Sequence, residues 1–225
     1  MKVVGLTGAA GAGKDTVYGF AAEWCEEHGL TGERLAFADP LKRSAAAALG
    51  FATGGDTGRP VTEAVEFCND IKQPGVEIVV VKYGEEEIPD AGIPGGAKQL
   101  TSEVLAKISG REFLQFYGTE AHRDVFGLDF WVDATMRKLN ERAGVPGLVV
   151  FLTDPRFKNE ARAIHKHDGE VWEVVRPGQV KVEAHASEAG LPEGAIDFQI
   201  VNDGSLADLR TLVRSVCEHN LKEVE

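Results

Sequence analysis

Apolar positions recur along this chain in two alternating rhythms. Val3-Val4-Gly5-Leu6 is a short apolar run closed by a glycine-rich turn, which predicts a strand. After Lys14, the residues Val17, Phe20, Ala21, Trp24 and Cys25 follow helical spacing up to Gly29, a residue suited to stopping a helix. Leu35-Ala36-Phe37 predicts a second strand and the alanine-rich stretch from Leu41 to Leu49 a second helix. The pattern then changes. Gly54-Gly55, Gly58, Pro60, Pro74-Gly75, Pro89 and Pro94-Gly95-Gly96 mark an inserted segment over about 51–98, with a β-prone run from Glu77 to Tyr83 inside it. Glu85-Glu86-Glu87 reads as a charged hairpin turn.

Helical character is expected to resume near Leu100 and to continue in pieces to about Ala143. Gly147 to Thr153 is a continuous apolar run, as in a parallel strand buried on both faces. A polar helix around Phe157–His167, a strand over Glu170–Val175, a loop of about 177–194 and a strand over Ala195–Val201 follow. Ser205 with Asp208 opens the last helix as a capping pair, and Leu209, Leu212, Val213 and Val216 form its apolar stripe. Strands alternating with helices imply right-handed crossovers and a central parallel sheet of about five strands with helices on both faces, an α/β fold of three layers. Ligands in such sheets bind at the carboxyl ends of the strands.

Composition narrows the function. The 225 residues carry 24 basic and 36 acidic side chains, a net charge of −12. That balance disfavours nucleic-acid polymers, whose binding relies on neutralising phosphates, so a phosphate ligand needs a local cationic cluster. Three cysteines without C-x-x-C spacing argue against a zinc site and for a reducing cytoplasmic setting. No apolar run is long enough for a bilayer, and the N-terminus lacks the pattern of a signal peptide. The length suits a single domain carrying the insertion.

The strongest motif is Gly8-Ala9-Ala10-Gly11-Ala12-Gly13-Lys14, which fits G-x-x-x-x-G-K between a strand and a helix. Backbone N–H groups of such a loop wrap phosphate, the helix N-terminus adds partial positive charge, and the lysine reaches the outer phosphates. Asp15 stands where serine or threonine is usual, so Thr16 is the hydroxyl available to magnesium and Asp15 a second candidate ligand. No N-K-x-D element marks a GTP switch, and the strand ending Thr153-Asp154-Pro155-Arg156 is not the Asp-Glu ending of a motor ATPase.

A small-molecule kinase is the remaining reading, since phosphoryl transfer needs positioning and charge neutralisation above all. Asp39 and Lys42 follow the second strand, expected directly beside the loop-bearing strand, and Asp154 and Arg156 end a later one. Arg111, Gln115, Thr119 and Arg123 are spaced four apart and would share a face of a continuous helix, which Gly118 is able to interrupt. Arg176 and His185 border the candidate lid of about 177–194. The plain alternatives are that Asp39-Pro40 and Asp154-Pro155 are ordinary helix entries, that Trp131 is a core residue, that His165 and His167 are solvated, and that Cys25 and Cys217 pack in the core.

With these residues in order, the chain resembles the bacteriophage-type deoxynucleoside monophosphate kinases, which have a P-loop nucleoside-monophosphate kinase fold. The resemblance rests on G-L-T-G-A-A-G-A-G-K-D-T, F-A-D-P-L-K, R-E-F-L-Q-F-Y-G-T-E-A-H-R, D-F-W-V, T-D-P-R-F-K-N-E-A, H-A-S-E and N-D-G-S, spread over nearly the whole chain outside the insertion. It implies transfer of the ATP γ-phosphoryl group, with Mg2+, to a deoxynucleoside monophosphate. It places Gly8, Ala10, Gly11, Ala12, Gly13, Lys14, Asp15 and Thr16 on the donor phosphates, and Asn202 and Ser205 near the donor base. It places Asp39, Lys42, Arg111, Gln115, Thr119, Glu120, Arg123 and Trp131 at the acceptor, and Asp154 and Arg156 at the metal water and transferring phosphate. Arg176 and the His185 region would close over the reaction. A dephospho-coenzyme A kinase and a non-catalytic nucleotide-binding module are the rival readings, and a homodimer through the insertion stands beside a lid or decoration as its role.

Overall fold

A computed structural model describes residues 1–51, 62–88, 97–178, 190–222 and 224, and for 80–88 and 97–105 the backbone alone. The chain divides into two units, Met1–Pro40 with Phe126–Glu225, and Leu41–Val125.

The first unit is built on five parallel strands: β1 (Lys2–Thr7), β2 (Thr31–Leu35), β5 (Leu148–Leu152), β6 (Glu170–Val175) and β7 (Phe198–Val201). Their order is β2-β5-β1-β6-β7. Register follows from the pairs Val3↔Val150, Gly5↔Val171, Glu33↔Val150 and Val174↔Ile200. Adjacent residues of a strand face opposite sides, so Val3 and Val4 enter different cores. Val4, Leu6, Phe151, Trp172 and Ile200 pack under α1 (Lys14–Glu27) and α8 (Leu206–Asn220), with Val17, Ala21, Trp24, Leu209, Val213 and Val216 from the helices. Val3, Val150, Leu152 and Val171 pack on the other face under α6 (Phe130–Asn140) and α7 (Lys158–His165), which supply Val132, Met136, Leu139 and Ile164. This is the three-layer arrangement that the run of apolar residues in each strand requires.

The order corrects one expectation. The strand leading to Asp39 is not beside β1, because β5 lies between them. The pattern of strands and helices implied parallel crossovers but carried no signal for which strand enters the middle. Smaller shifts follow too: β2 ends at Leu35 rather than spanning Leu35–Phe37, and β7 begins at Phe198 rather than Ala195.

The second unit holds the larger part of α2 (Ala38–Ala48), α3 (Thr62–Asp70), a hairpin of β3 (Glu77–Ile88) and β4 (Ala97–Ser109), and α4 (Gly110–Gly118). Among the described residues its core holds Ala45, Ala46, Ala64, Cys68, Ile71 and Leu114. Phe51 stacks on Phe67 at 4.6 Å between ring centroids, and Ser44 Oγ meets the Tyr117 hydroxyl at 2.8 Å. Helical structure does not resume at Leu100, because β4 runs on to Ser109. Leu100, Val104 and Ile108 are four apart, a spacing that fits one helix face and one strand face equally. Pairing with β3 decides between them, with Val81↔Val104 and Ile78↔Ile108 in register. Glu85, Glu86 and Glu87 are strand residues paired with Leu100, Gln99 and Lys98, not a turn.

Ser109 starts α4 with a full capping box to Glu112. Gly118 ends it, and a wide π-helical turn, Thr119–Arg123, leads to the single turn α5 (Asp124–Phe126). The four-residue ladder from Arg111 to Arg123 therefore lies on an unbroken helical run that is π-helical from Thr119, so it is not on one regular α-helix.

Candidate active site

The glycine-rich loop leaves β1 at Thr7 and enters α1 at Lys14. Gly8, Gly11 and Gly13 have φ of 136°, 76° and 106°, a region where a side chain is strained. Two of these glycines also have no room for one. A Cβ on Gly8 would overlap the Val174 carbonyl oxygen, and one on Gly13 would lie 2.7 Å from Asn202 Nδ2. Gly13 is the N-cap of α1 and supplies no side-chain cap, so the first amides of the helix face the loop. Lys14 Nζ donates to the carbonyls of Gly8 and Ala9, both at 2.8 Å. Burial lowers its pKa and the Arg156 charge adds to that, while Asp15 and Asp154 oppose it. Asp15 is exposed and Thr16 half-buried in the first turn of α1.

Beside the loop, the turn after β5 gathers neighbouring strand ends. Thr153 N donates to the Leu35 carbonyl at 3.1 Å. Asp154 accepts from the amides of Phe37 at 2.7 Å and Ala38 at 3.1 Å, one on each carboxylate oxygen. Burial pushes its pKa up; the two amides and Arg156 pull it down, and Asp39 pushes it up again. Asp154 thus holds the turn that carries Asp39, whose carboxylate is close enough to be felt. Asp39 lies in the first turn of α2, which starts at Ala38, and its Oδ1 is buried without a hydrogen-bond partner among the described residues. A buried carboxylate oxygen in that state carries a desolvation cost that a donor or cation would remove. Thr153 Oγ1 is in the same condition.

Sequence reading missed two members of this edge. Thr7 Oγ1 donates to the Pro155 carbonyl at 2.8 Å, tying the end of β1 to the β5–α7 turn. Glu160, on α7, is buried and accepts the amides of Arg156 at 2.6 Å and Phe157 at 3.0 Å. A residue three places before Glu160 with a hydroxyl would have signalled a capping box, but that residue is Phe157.

On the other side of β1, Asn202 N donates to the Val175 carbonyl at 2.7 Å and Asn202 Nδ2 to the Ala12 carbonyl at 2.9 Å. The side-chain amide expected near the donor base is braced against the loop itself. Ser205, expected beside it, caps α8, accepting from Asp208 N and donating to Asp208 Oδ2 at 2.7 Å. Arg176 is exposed directly after β6. Trp131 is 4% exposed on α6, edge-on to Phe130 with centroids 4.7 Å apart, which groups it with core residues.

Lys14, Asp15, Asp39, Asp154, Arg156 and Asn202 therefore lie on one carboxyl edge of the sheet. Lys42, Arg111, Gln115, Thr119, Glu120 and Arg123 belong to the other unit. Within it, Arg111 and Gln115 are on α4, and Thr119, Glu120 and Arg123 are in the π-helical turn, which His122 Nδ1 fastens to the Tyr117 carbonyl at 2.6 Å. Lys42 is half-buried on α2. His185 and positions 179–189 of the expected lid lie outside the described residues.

Comparison with known proteins decides the family. The profile of the family described as "Deoxynucleotide monophosphate kinase" matches residues 52–213. The chain belongs to that family. That match starts downstream of the glycine-rich loop, and the matches to individual relatives extend over almost the whole chain. The deoxynucleoside-5'-monophosphate kinase of Escherichia phage T5 is 28% identical, over 98% of this chain and 97% of its own. The deoxynucleotide monophosphate kinase of Enterobacteria phage T4 is 25% identical, over 96% and 98%. A putative deoxynucleotide monophosphate kinase of Acanthamoeba polyphaga mimivirus is 23% identical over both full lengths. Membership makes the chain a nucleotide phosphotransferase, as the strand-end reading expected, and favours neither the coenzyme A precursor kinase nor the non-catalytic module.

Proposed function

We propose that the chain moves the γ-phosphoryl group of ATP to the 5′-phosphate of a deoxynucleoside monophosphate, in the cytoplasm. A phosphate oxygen of the acceptor bonds to the γ-phosphorus as the bond from that phosphorus to the β–γ bridging oxygen breaks, leaving ADP and a deoxynucleoside diphosphate. The observation that carries this reading is the loop of Gly8, Gly11 and Gly13 with Lys14 at its exit, set on the same sheet edge as Asp39, Asp154 and Arg156.

Loop amides from Gly8 to Thr16 hold the donor phosphates, and Lys14 exchanges the carbonyls of Gly8 and Ala9 for phosphate oxygens. Burial and the Arg156 charge lower its pKa, and the Asp15 and Asp154 carboxylates beside it favour the charged ammonium. Arg156 neutralises charge on the group in transfer, with Arg176 as a second guanidinium at the same strand ends. The buried Asp39 Oδ1, which has no hydrogen-bond partner among the described residues, is suited to a donor on the acceptor or to a cation. Mg2+, when bound, would neutralise the outer phosphates. The donor set fits it: Thr16 and Asp15 would hold it from α1, and Asp154 keeps a second lone pair on each oxygen for one of its waters. Arg111, Gln115, Thr119, Glu120, Arg123 and Lys42 form the acceptor set, with Arg123 gripping the monophosphate as a planar fork.

Release of ADP, followed over a panel of deoxynucleoside monophosphates, tests the proposal. Turnover dependent on at least one acceptor is expected. Lys14→Ala should lower kcat by about a hundredfold or more at saturating acceptor, the scale of losing a charge-stabilising donor. ATP binding without turnover for any acceptor would overturn it.

A further inference from the structure

Among the described residues, three acidic side chains cap helix starts, and one is unlike the others. Glu112 on α4 and Asp208 on α8 each bond the amide and hydroxyl of a serine N-cap, Ser109 and Ser205, at exposed sites. On α7 the N-cap is Phe157, which has no hydroxyl, and Glu160 is only 3% exposed. A single oxygen, Oε2, accepts the Phe157 amide and, one residue further out, the Arg156 amide at 2.6 Å.

Starting a helix requires neither feature, since an exposed serine or aspartate at the N-cap does it. Burial of a carboxylate is costly unless short charge-assisted bonds satisfy it. Here those bonds fix the one turn that bears Arg156. The same turn is tied to β1 through Thr7 and the Pro155 carbonyl, and to the Asp39 turn through Asp154. The Arg156 charge is felt at both Lys14 and Asp154.

We propose that Glu160 is a positioning residue for phosphoryl transfer: it locks the backbone of Arg156, so that the guanidinium is held at the exit of the phosphate loop before substrate arrives. Preorganised charge of this kind acts on the transition state without a reorganisation cost. The proposal rests on the kinase reading and on Arg156 as the charge-neutralising group of that reading. The effect assigned to Glu160 is carried by the turn that bears Arg156, through the two amides that Oε2 accepts.

A double-mutant cycle on kcat tests it. Glu160→Ala is expected to lower kcat about thirtyfold while the KM for ATP stays within threefold, because the loop that holds ATP is intact. In an Arg156→Ala background the same substitution should cost less than twofold, since the group it positions is gone. Glu160→Asp, which withdraws the carboxylate by one methylene from both amides, serves as the second variant and carries the cycle if Glu160→Ala does not fold. Equal losses in the two backgrounds would show a general structural role and overturn the proposal. Arg156→Ala with wild-type kcat would overturn it differently, by removing the role assigned to Arg156, and is told apart because it needs no Glu160 variant.

Discussion

Glycine at position 8 is fixed by two independent constraints. Its φ of 136° strains any side chain, and its Cβ position is already occupied by the Val174 carbonyl oxygen of the neighbouring strand. Gly8→Ala is therefore expected to destabilise the fold by about 2 kcal/mol or more, with the methyl forcing β1 and β6 apart at the loop. Thermal unfolding and a shift in Tm on adding ATP measure the two effects, and an unchanged Tm together with an unchanged ATP shift would refute the argument. Contrast Asp39, where the residue type was legible in the sequence but its state was not. Position after a strand pointed to it, whereas burial of an oxygen that finds no partner among the described residues depends on how Asp154 folds the turn back.

At the scale of elements, α1 and α8 lie together on one face of the sheet with Cys25 and Cys217 both fully buried between them. Burial pushes the Cys25 thiol up to about 11 and the Cys217 thiol up to about 12, from an ordinary value of 9.0. Unfolded thiols ionise from pH 9 onward and these folded ones do not, so the unfolded state gains between pH 9 and about 11–12. Stability should be unaffected by these groups below pH 9 and fall steadily above it. Denaturant midpoints taken from pH 8 to 11 check this, and Cys217→Ala should flatten the decline. A fall no shallower in that variant would refute the assignment. Both cysteines were readable as packing residues because helical periodicity puts them on apolar faces. The hairpin was readable only in part: Glu77 to Tyr83 is rich in β-branched residues, but β4 has a spacing of four that two structures share. Long-range pairing settled it, and no local window contains that information.

Over the whole molecule, the sheet edge collects groups that are remote in sequence, and the order β2-β5-β1-β6-β7 is what brings them together. The layers and the parallel sense follow from alternation of elements, so they were predictable; the insertion of β5 between β2 and β1 was not. The brace from Asn202 to the Ala12 carbonyl spans 190 positions of the chain. Removing it with Asn202→Ala should weaken ATP about fivefold, the equivalent of one hydrogen bond of about 1 kcal/mol. Isothermal titration of ATP checks this, and unchanged affinity would refute the bracing role. The same span sets an order of events at the ribosome. The phosphate loop leaves the ribosome 190 positions ahead of the amide that steadies it, so the brace forms only after β5, β6 and β7 have followed β1 out.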